Sequence, residues 1–339
     1  MTATVQVNDL HFAVVIGIDR YPALTDLKSA RNDAEKFREW LVDPCGGAVP
    51  SENIRVVEAS GDGAGIEDVL PTQREVNAAL KAVQNTVHER TRSDSSAWLK
   101  TRLYIFVAGH GIVPIDGRGA LLMADATLDQ LGLHIDLHRY LRWQEENGLF
   151  REVMVFADCC RVESTCLYAY GPPFTSDFSG RQSEVAVLGY ATTVGHRARA
   201  TSSGGRRGLF TEVLLEALRG HAANGDGNVT VDQIETYVAT RLSGVQTSEF
   251  VPRRNATVVV RVEPREREVC LVFPRGDLLV ELVHRDNARE VLNVADAEYL
   301  CWLLPGLYQV NPITPGVGPF NGNGFFRIGA GEGPERVEL

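Results

Sequence analysis

Short runs of apolar residues recur along the first part of the chain, with amphipathic segments between several of them. The runs are HFAVVIGID (11–19), NIRVVEA (53–59), RLYIFVAGHG (102–111), REVMVFADCC (151–160) and EVAVLGYATT (184–193). Runs of this length that are apolar throughout are typical of strands buried on both faces of a parallel sheet. Helical spacing of apolar residues in 27–42 and 72–91 completes the pattern of a doubly wound α/β domain with a mostly parallel sheet.

The pattern changes near residue 265. Beyond it, short β-like runs such as EVCLVFP and LLVELVHR alternate with turns rich in Pro, Gly and Asn, and no helical periodicity stands out. This alternation is typical of antiparallel sheets. We therefore predict two domains, an α/β domain over residues 1–264 and a small antiparallel β domain over residues 265–339.

Charge and composition narrow the classes of function. The formal net charge is −10 and the isoelectric point is near 5.4, which argues against nucleic-acid binding because that needs a basic surface. No apolar run approaches the roughly 20 residues that a membrane span needs. The amino-terminal segment lacks the basic region and the cleavage site of a signal peptide. We therefore expect a cytoplasmic protein that has no membrane partner.

A histidine and a thiol end two successive long apolar runs. His110 ends the third run, and Asp158, Cys159 and Cys160 end the fourth. Ligands of open parallel sheets bind where the strands end, so neighbouring strands here would bring a cysteine nucleophile and its proton acceptor together. Gly111 leaves room for a substrate carbonyl to approach a backbone N–H donor. A single histidine or cysteine at a strand end is more often structural, and only the coincidence of the two favours catalysis.

The remaining histidines and cysteines give weaker patterns. His134 and His138 lie four residues apart on a predicted helix, as metal ligands often do, but no third ligand accompanies them. The six cysteines form no C-x-x-C pair, and most are predicted to be buried thiols. We therefore predict no metal at these positions.

RLYIFVAGHG followed by VMVFADCCR resembles the caspase and metacaspase clan of cysteine peptidases. Caspases place a histidine about 50 residues before a cysteine that is followed by Arg, Gln or Gly. His110 and Cys160 are 50 positions apart, and Arg161 follows the cysteine. VVIGIDRYPALTDLKSARNDA and GYATTVG…GLFTEVLLEALRG are similar to further family blocks, so the resemblance covers roughly residues 10–245. It implies a caspase-like three-layer αβα sandwich.

The residues around the nucleophile depart from the caspase pattern. Caspases carry Gln-x-Cys, whereas this chain has Asp158-Cys159-Cys160, as metacaspases and bacterial relatives do. The family's following HSG is absent and RVES stands in its place. The Asp-x-Cys match implies that Cys160 is the nucleophile and Cys159 a spacer, and alternation of side chains along a strand agrees. The resemblance implies His110 as the base and the N–H groups of Gly111 and Cys160 as the oxyanion site.

Charge beside the nucleophile suggests the substrate. A carboxylate held there would pair with a Lys or Arg side chain. The resemblance to metacaspases implies that Asp33 and Asp158 line the S1 pocket, which receives the residue before the scissile bond (P1). Asp33 also fits a carboxylate that favours the first turn of a helix, and Arg31 would neutralise the pocket if it pointed inward.

Two loops suggest activation by proteolysis. Residues 161–183 lie where the family has its large and small subunit junction, and Arg181 is a candidate processing site for this or an upstream protease. The segment 195–208 carries four arginines where the family has a substrate-binding loop. Each of these arginines also fits a solvated loop.

The segment NGDGNVTVDQIE matches part of a calcium-binding loop. The candidate ligands lie at the expected offsets: Asn224, Asp226, Asn228, Asp232 and Glu235. Val229 stands where such loops need glycine, and Asn224 stands where they begin with Asp. The same residues fit a turn before a helix capped by Thr230, which is the interpretation we favour, with no cofactor.

The sequence thus predicts a cysteine endopeptidase with a Cys-His dyad that cleaves protein or peptide substrates after Arg or Lys. The alternative is a catalytically inactive caspase-like scaffold whose β domain binds a partner. Bacterial relatives suggest a setting in defence or cell death.

Overall fold

The structure is a computed structural model. It describes residues 8–59, 65–115, 117–164, 168, 170–174, 181–200, 207–224, 226–252, 256–263, 266–284, 288–304, 306–328 and 335–339. Cys166 and Arg206, which belong to the two loops singled out above, lie outside the described residues.

The regular elements of the described chain follow in order. The strands are β1 (His11–Gly17), β2 (Ile54–Glu58), β3 (Arg102–Gly109), β4 (Gly111–Val113), β5 (Ala120–Leu122), β6 (His134–Asp136), β7 (Glu152–Cys159), β8 (Val162–Glu163), β9 (Val185–Tyr190), β10 (Asn228–Thr230), β11 (Glu249–Val251), β12 (Val258–Arg261), β13 (Arg267–Val272), β14 (Leu278–His284), β15 (Arg289–Val294), β16 (Glu298–Leu303), β17 (Gly306–Pro312), β18 (Phe325–Ile328) and β19 (Glu335–Glu338). The α-helices are α1 (Ala30–Val42), α2 (Gln73–Thr91), α3 (Leu137–Asn147), α4 (Leu209–Glu216) and α5 (Val231–Arg241). Short 3₁₀ helices cover Ser51–Asn53, Ala97–Lys100 and Asn321–Gly324, and a π-helical turn covers Ala217–His221.

Six strands form the central sheet in the order β11-β9-β7-β3-β1-β2. The five predicted strands are all present and run parallel, which confirms the α/β class. The edge strand β11 pairs antiparallel with β9 and was not predicted, because only three residues carry it. Every residue of β3 and β7 is buried, as expected of strands covered on both faces.

Helices cover the sheet through the apolar faces that the sequence suggested. Ala30, Ala34, Phe37 and Leu41 of α1 are buried, and Val76, Leu80, Val83 and Val87 of α2 are buried as well. A capping box of Thr72 and Glu75 begins α2: the Thr72 side chain accepts from Arg74 N, and Glu75 accepts from the Thr72 backbone N–H.

A second sheet has four strands in the order β6-β5-β4-β8. Its strands β4, β5 and β6 follow β3 in the chain, and β8 follows β7. It corrects one prediction, because His134 lies on β6 and not on a helix with His138. The His134 ring is buried and its Nδ1 lies 2.9 Å from the Leu131 carbonyl oxygen. Among the described residues, no three His, Cys, Asp or Glu side chains form a group that could hold a metal ion.

The chain divides into two compact units. The first comprises Met1–Leu215 and Val238–Asn255, and the second comprises Glu216–Tyr237 and Ala256–Leu339. The second unit contains a sheet β16-β13-β19 and a sheet β15-β14-β17-β18, which share an apolar core. Strand pairing is antiparallel there except between β13 and β19. The domain boundary at 264/265 stays a prediction. No described helix is both long and apolar enough to cross a membrane.

Candidate active site

The strand register brings the histidine and the cysteines to one level of the sheet. Strands β3 and β7 are parallel neighbours, and Gly109 lies opposite Cys159. The next residues, His110 and Cys160, therefore emerge side by side where the two strands end. Both are half-buried, and both line one cavity of about 570 Å³. The two strands are thus neighbours, as the prediction required, and His110 and Cys160 line the same cavity.

Hydrogen bonds orient the His110 ring and its backbone. The ring Nε2 lies 2.6 Å from the Thr25 carbonyl oxygen. A carbonyl can only accept, so Nε2 carries the proton and Nδ1 is the basic nitrogen of the neutral ring. The backbone N–H of His110 donates to the Tyr21 hydroxyl over 3.0 Å, and that hydroxyl donates to the Leu122 carbonyl oxygen over 3.2 Å. The rings of Tyr21 and His110 also contact, with centroids 4.7 Å apart.

Tyr21 and Thr25 were not among the sequence candidates. They lie in the turn that follows β1, and β1 is the other neighbour of β3 in the sheet. Since parallel strands end at the same edge, a turn after any of them is a source of site residues. The Tyr-Pro turn was therefore the signal that could have identified them.

The adjacent cysteines lie in different environments. Cys159 is fully buried in the apolar core, and burial raises the pKa of its thiol. Burial also raises the pKa of the Cys160 thiol, and the charge of Asp158 acts in the same direction. The Ala198 backbone N–H, hydrogen bonded to Cys160, and the positive charge of Arg197 oppose this shift. Because its pKa is raised, the Cys160 thiol is protonated near neutral pH and needs a base to become a nucleophile.

Gly111 allows the two strand ends to approach closely. A Cβ atom at this position would lie 2.2 Å from the Cys160 carbonyl oxygen and 2.9 Å from the Cys159 sulfur. Any side chain here would push the histidine strand away from the cysteine strand. The assignment of the Gly111 and Cys160 N–H groups to an oxyanion site stays a prediction.

Asp33 and Asp158 form a buried carboxylate pair that lines the same cavity. The Gly208 backbone N–H donates to both Asp33 oxygens, at 3.0 and 2.9 Å. The backbone N–H and hydroxyl of Thr211 donate to Asp158 Oδ2, at 3.0 and 2.6 Å. Burial and the neighbouring Asp158 charge raise the pKa of Asp33 to about 7. Burial also raises the pKa of Asp158, so the pair holds a proton more readily than exposed carboxylates do.

Two arginines near the site, Arg31 and Arg161, pair with glutamates, and only the direction of Arg31 was an open question of the sequence. Arg31 pairs weakly with Glu58, at 3.8 Å, and its side chain is more than half exposed, so it does not neutralise the carboxylate pair. Arg161 is fully buried directly after Cys160 and forms an ion pair with Glu249. Its guanidinium also donates to the carbonyl oxygens of Arg118 and Thr192, at 2.7 and 3.0 Å.

The remaining candidates lie away from this cavity. Arg181 is exposed, its guanidinium lies 5.3 Å from the Trp98 ring, and it does not line the cavity. In the candidate calcium segment, Asn224 Oδ1 accepts from the backbone N–H groups of Asp226 and Asn228, both at 3.0 Å. The Thr230 hydroxyl donates to Asp232 at the start of α5, and Glu235 lies farther along that helix. This geometry fits the turn and cap interpretation, and calcium binding stays a prediction.

The family model of the caspase domain of the C14 peptidases matches residues 10–261. The chain belongs to the caspase-domain family. Membership supports a cysteine-type peptidase, which is a hydrolase.

The caspase-domain chain is similar to two further proteins. A protein described as a probable protease from a Desulfuromonadales bacterium is 26% identical over 292 residues, covering 78% of this chain and 33% of that protein. The chain thus spans about a third of the length of that curated relative. In a crystal structure, caspase-1 from Spodoptera frugiperda is 13% identical and has a TM-score of 0.47, with 76% of this chain and 94% of that chain covered.

Proposed function

We propose that the protein is a cysteine endopeptidase that cleaves peptide bonds after Arg or Lys. The observation that carries the proposal is one cavity lined by Cys160, His110 and the buried carboxylates Asp33 and Asp158. A thiol and an imidazole supply the chemistry of peptide hydrolysis. The two carboxylates supply negative charge where a substrate side chain enters.

In the proposed reaction, His110 Nδ1 takes the proton of the Cys160 thiol, and the sulfur attacks the scissile carbonyl carbon. The N–H groups of Gly111 and Cys160 donate to the oxyanion that forms. His110 then returns the proton to the leaving amine as the C–N bond breaks. Water, deprotonated by His110, hydrolyses the thioester and restores the thiol. The hydrogen bond to the Thr25 carbonyl oxygen stabilises the positively charged ring during these steps.

The proposed preference for a basic P1 residue rests on electrostatics. Asp33 and Asp158 are buried, and neither has an ion-pair partner within 4.0 Å among the described residues. The charge of Arg207 acts on Asp33 and lowers its pKa, and a guanidinium or ammonium group that entered the cavity would add a positive charge directly beside the pair. It would also favour the doubly ionised state of the pair, because a nearby positive charge lowers carboxylate pKa values.

The test compares the two adjacent cysteines on fluorogenic peptides that end in Arg, Lys, Asp or Leu at P1. We expect the wild type to cleave the Arg and Lys peptides. Cys160→Ala should lower kcat/KM at least about 1,000-fold, whereas Cys159→Ala should retain most of the activity. Circular dichroism checks that both variants fold. A catalytically competent Cys160→Ala with an inactive, folded Cys159→Ala would reverse the assignment, and cleavage only after Asp or Leu would refute the basic preference.

We further propose activation by cleavage after Arg181. The exposed side chain and the position of the residue before β9 support access by a protease. Incubated wild type should yield two fragments on a gel, and Cys160→Ala and Arg181→Gln should not if the protein cuts itself. A wild type that stays uncut at full activity would contradict the proposal.

A second candidate function is a caspase-like scaffold that binds a partner through its second unit. Leu300 and Trp302 on β16 favour it, because both side chains are 65% exposed. Labelling of Cys160 by an Arg chloromethylketone, read by mass spectrometry, separates the two functions, since a scaffold has no need of a reactive thiol. The family resemblance alone suggests a role in bacterial defence or cell death. Survival of phage-challenged cells that express wild type or Cys160→Ala tests it.

A further inference from the structure

The segment that carries Arg197 and Arg199 is fixed beside the nucleophile. Between the two arginines, the Ala198 backbone N–H is hydrogen bonded to Cys160. The Arg199 backbone N–H donates to Gln246 Oε1 over 2.8 Å, and its carbonyl oxygen accepts from Leu209 N over 2.9 Å. The backbone therefore holds both arginine side chains at the cleft wall.

The guanidinium groups of Arg197 and Arg199 are available to a ligand. Both side chains are exposed, and neither has a carboxylate within 4.0 Å among the described residues. By contrast, Arg151 and Arg161 each pair with a glutamate. Two cations that are separated by one residue, with no acidic partner within 4.0 Å among the described residues, place positive charge at the edge of the cleft.

The two arginines also line a second cavity of about 480 Å³ next to the cleft. The other residues that line it are His196, Gly244, Val245, Gln246 and Thr247, and none of these is acidic. The cavity thus has hydrogen-bond donors and positive charge on its walls. These are the requirements for binding a carboxylate, which guanidinium groups hold through paired N–H donors.

We propose that Arg197 and Arg199 form an anion subsite that binds an acidic side chain of the peptide substrate. This proposal rests on the proposed function, because it extends the recognition of the same cleft. Both arginines also line the cavity that contains Cys160 and His110, so the subsite lies close to the scissile bond. An extended peptide advances about 3.3 Å per residue, so the acidic residue is expected among the positions that flank P1 on either side of the scissile bond.

The cleft then recognises two charged side chains of the substrate, one basic and one acidic, and not the P1 residue alone. The carboxylate pair takes the basic P1 side chain, and the arginines take an acidic side chain nearby. A substrate that carries both charges reduces the net charge of both walls, whereas one with only the basic residue leaves the arginines solvated. Exposed pairs of this kind change affinity modestly, and partial coverage by the substrate strengthens them.

The experiment uses internally quenched peptides with Arg at P1 and a single Glu moved from P4 to P3′, each matched by Gln at the same position. We expect at least one position where Glu raises kcat/KM three- to tenfold over Gln at low salt, with a smaller ratio in 0.5 M NaCl. In the double variant Arg197→Gln, Arg199→Gln this ratio should fall below twofold. The ratio is internal to each variant, so changes in thiol reactivity cancel. Arg92→Gln, at an exposed arginine directly after α2, should keep the wild-type ratio.

The outcomes separate the subsite from the proposed function. Cleavage after Arg with equal rates for Glu and Gln at every position overturns the subsite and leaves the endopeptidase in place. If no peptide is cut, fluorescence anisotropy of the same peptides with Cys160→Ala decides. Tighter binding of a Glu peptide that the two arginine substitutions abolish supports the subsite, and equal binding of Glu and Gln peptides overturns it.

Discussion

Removing one charge of the Arg161–Glu249 ion pair should weaken both stability and catalysis. Arg161 directly follows Cys160, and its guanidinium contacts Glu249, two carbonyl oxygens and the Tyr190 ring, 3.9 Å away. Its backbone N–H donates to the His196 carbonyl oxygen over 2.9 Å, and its own carbonyl accepts from Gly195 N over 2.7 Å. The end of β7 and the arginine-bearing segment are therefore held together at this residue.

The expected loss in free energy of unfolding depends on how deeply the ion pair is buried. Losing one partner of a fully buried pair costs about 3–5 kcal/mol, because the other charge stays uncompensated. In Glu249→Gln the Arg161 charge keeps its two carbonyl contacts and the Tyr190 ring, and Glu249 is itself a quarter exposed. We therefore expect the free energy of unfolding to fall by about 2–3 kcal/mol. Arg161→Met should cost about 3–4 kcal/mol, since it removes all of the guanidinium hydrogen bonds.

Urea unfolding measures these losses, and the double variant gives the coupling energy. We expect the double variant to cost at least about 1.5 kcal/mol less than the sum of the single ones, because both remove the same interaction. The matched control is Arg151–Glu184, a surface pair at 2.7 Å, where Glu184→Gln should cost less than about 1 kcal/mol. A Glu249→Gln protein within about 0.5 kcal/mol of wild type, or additive single costs, would refute the reasoning. Arg161→Met and Glu249→Gln should also lower kcat against an Arg peptide.

Three further outcomes follow from the site. Because the pKa of Asp33 is raised to about 7, the pocket loses negative charge as the pH falls from 8 to 6. The KM for an Arg-P1 peptide should therefore rise over that range. Asp33→Asn should abolish this pH dependence of KM. Tyr21→Phe removes the hydroxyl that binds the His110 N–H, so kcat should fall about tenfold or more with KM nearly unchanged, as steady-state kinetics would detect. Gly208→Ala would place a Cβ 2.0 Å from Asp158 Oδ2, so it should raise KM for Arg peptides far more than a Ser183→Ala control, and an unchanged KM would contradict the pocket geometry.

The strands and the placement of His110 and Cys160 at one edge of the sheet could be predicted, because both depend on periodic local patterns and on a general rule for parallel sheets. Other features depend on contacts between distant residues that leave no local pattern. The Tyr21 hydroxyl reaches the backbone of a residue 89 positions away, and Arg161 reaches Glu249 88 positions away. His134 was misassigned because three residues in a short strand resemble the beginning of a helix when read as sequence. Its pairing with β5 decides the conformation.

The register of β3 and β7 limits how this site can change over evolution. Deleting one residue from either strand would shift His110 by about 3.3 Å relative to Cys160 and turn its side chain toward the opposite face of the sheet. Substitutions inside these two strands can be absorbed by repacking, but a change in their length cannot. The chain between them lies outside this constraint, so insertions and deletions that preserve activity should accumulate in loops such as the one between β5 and β6 and be absent from 102–110 and 152–160.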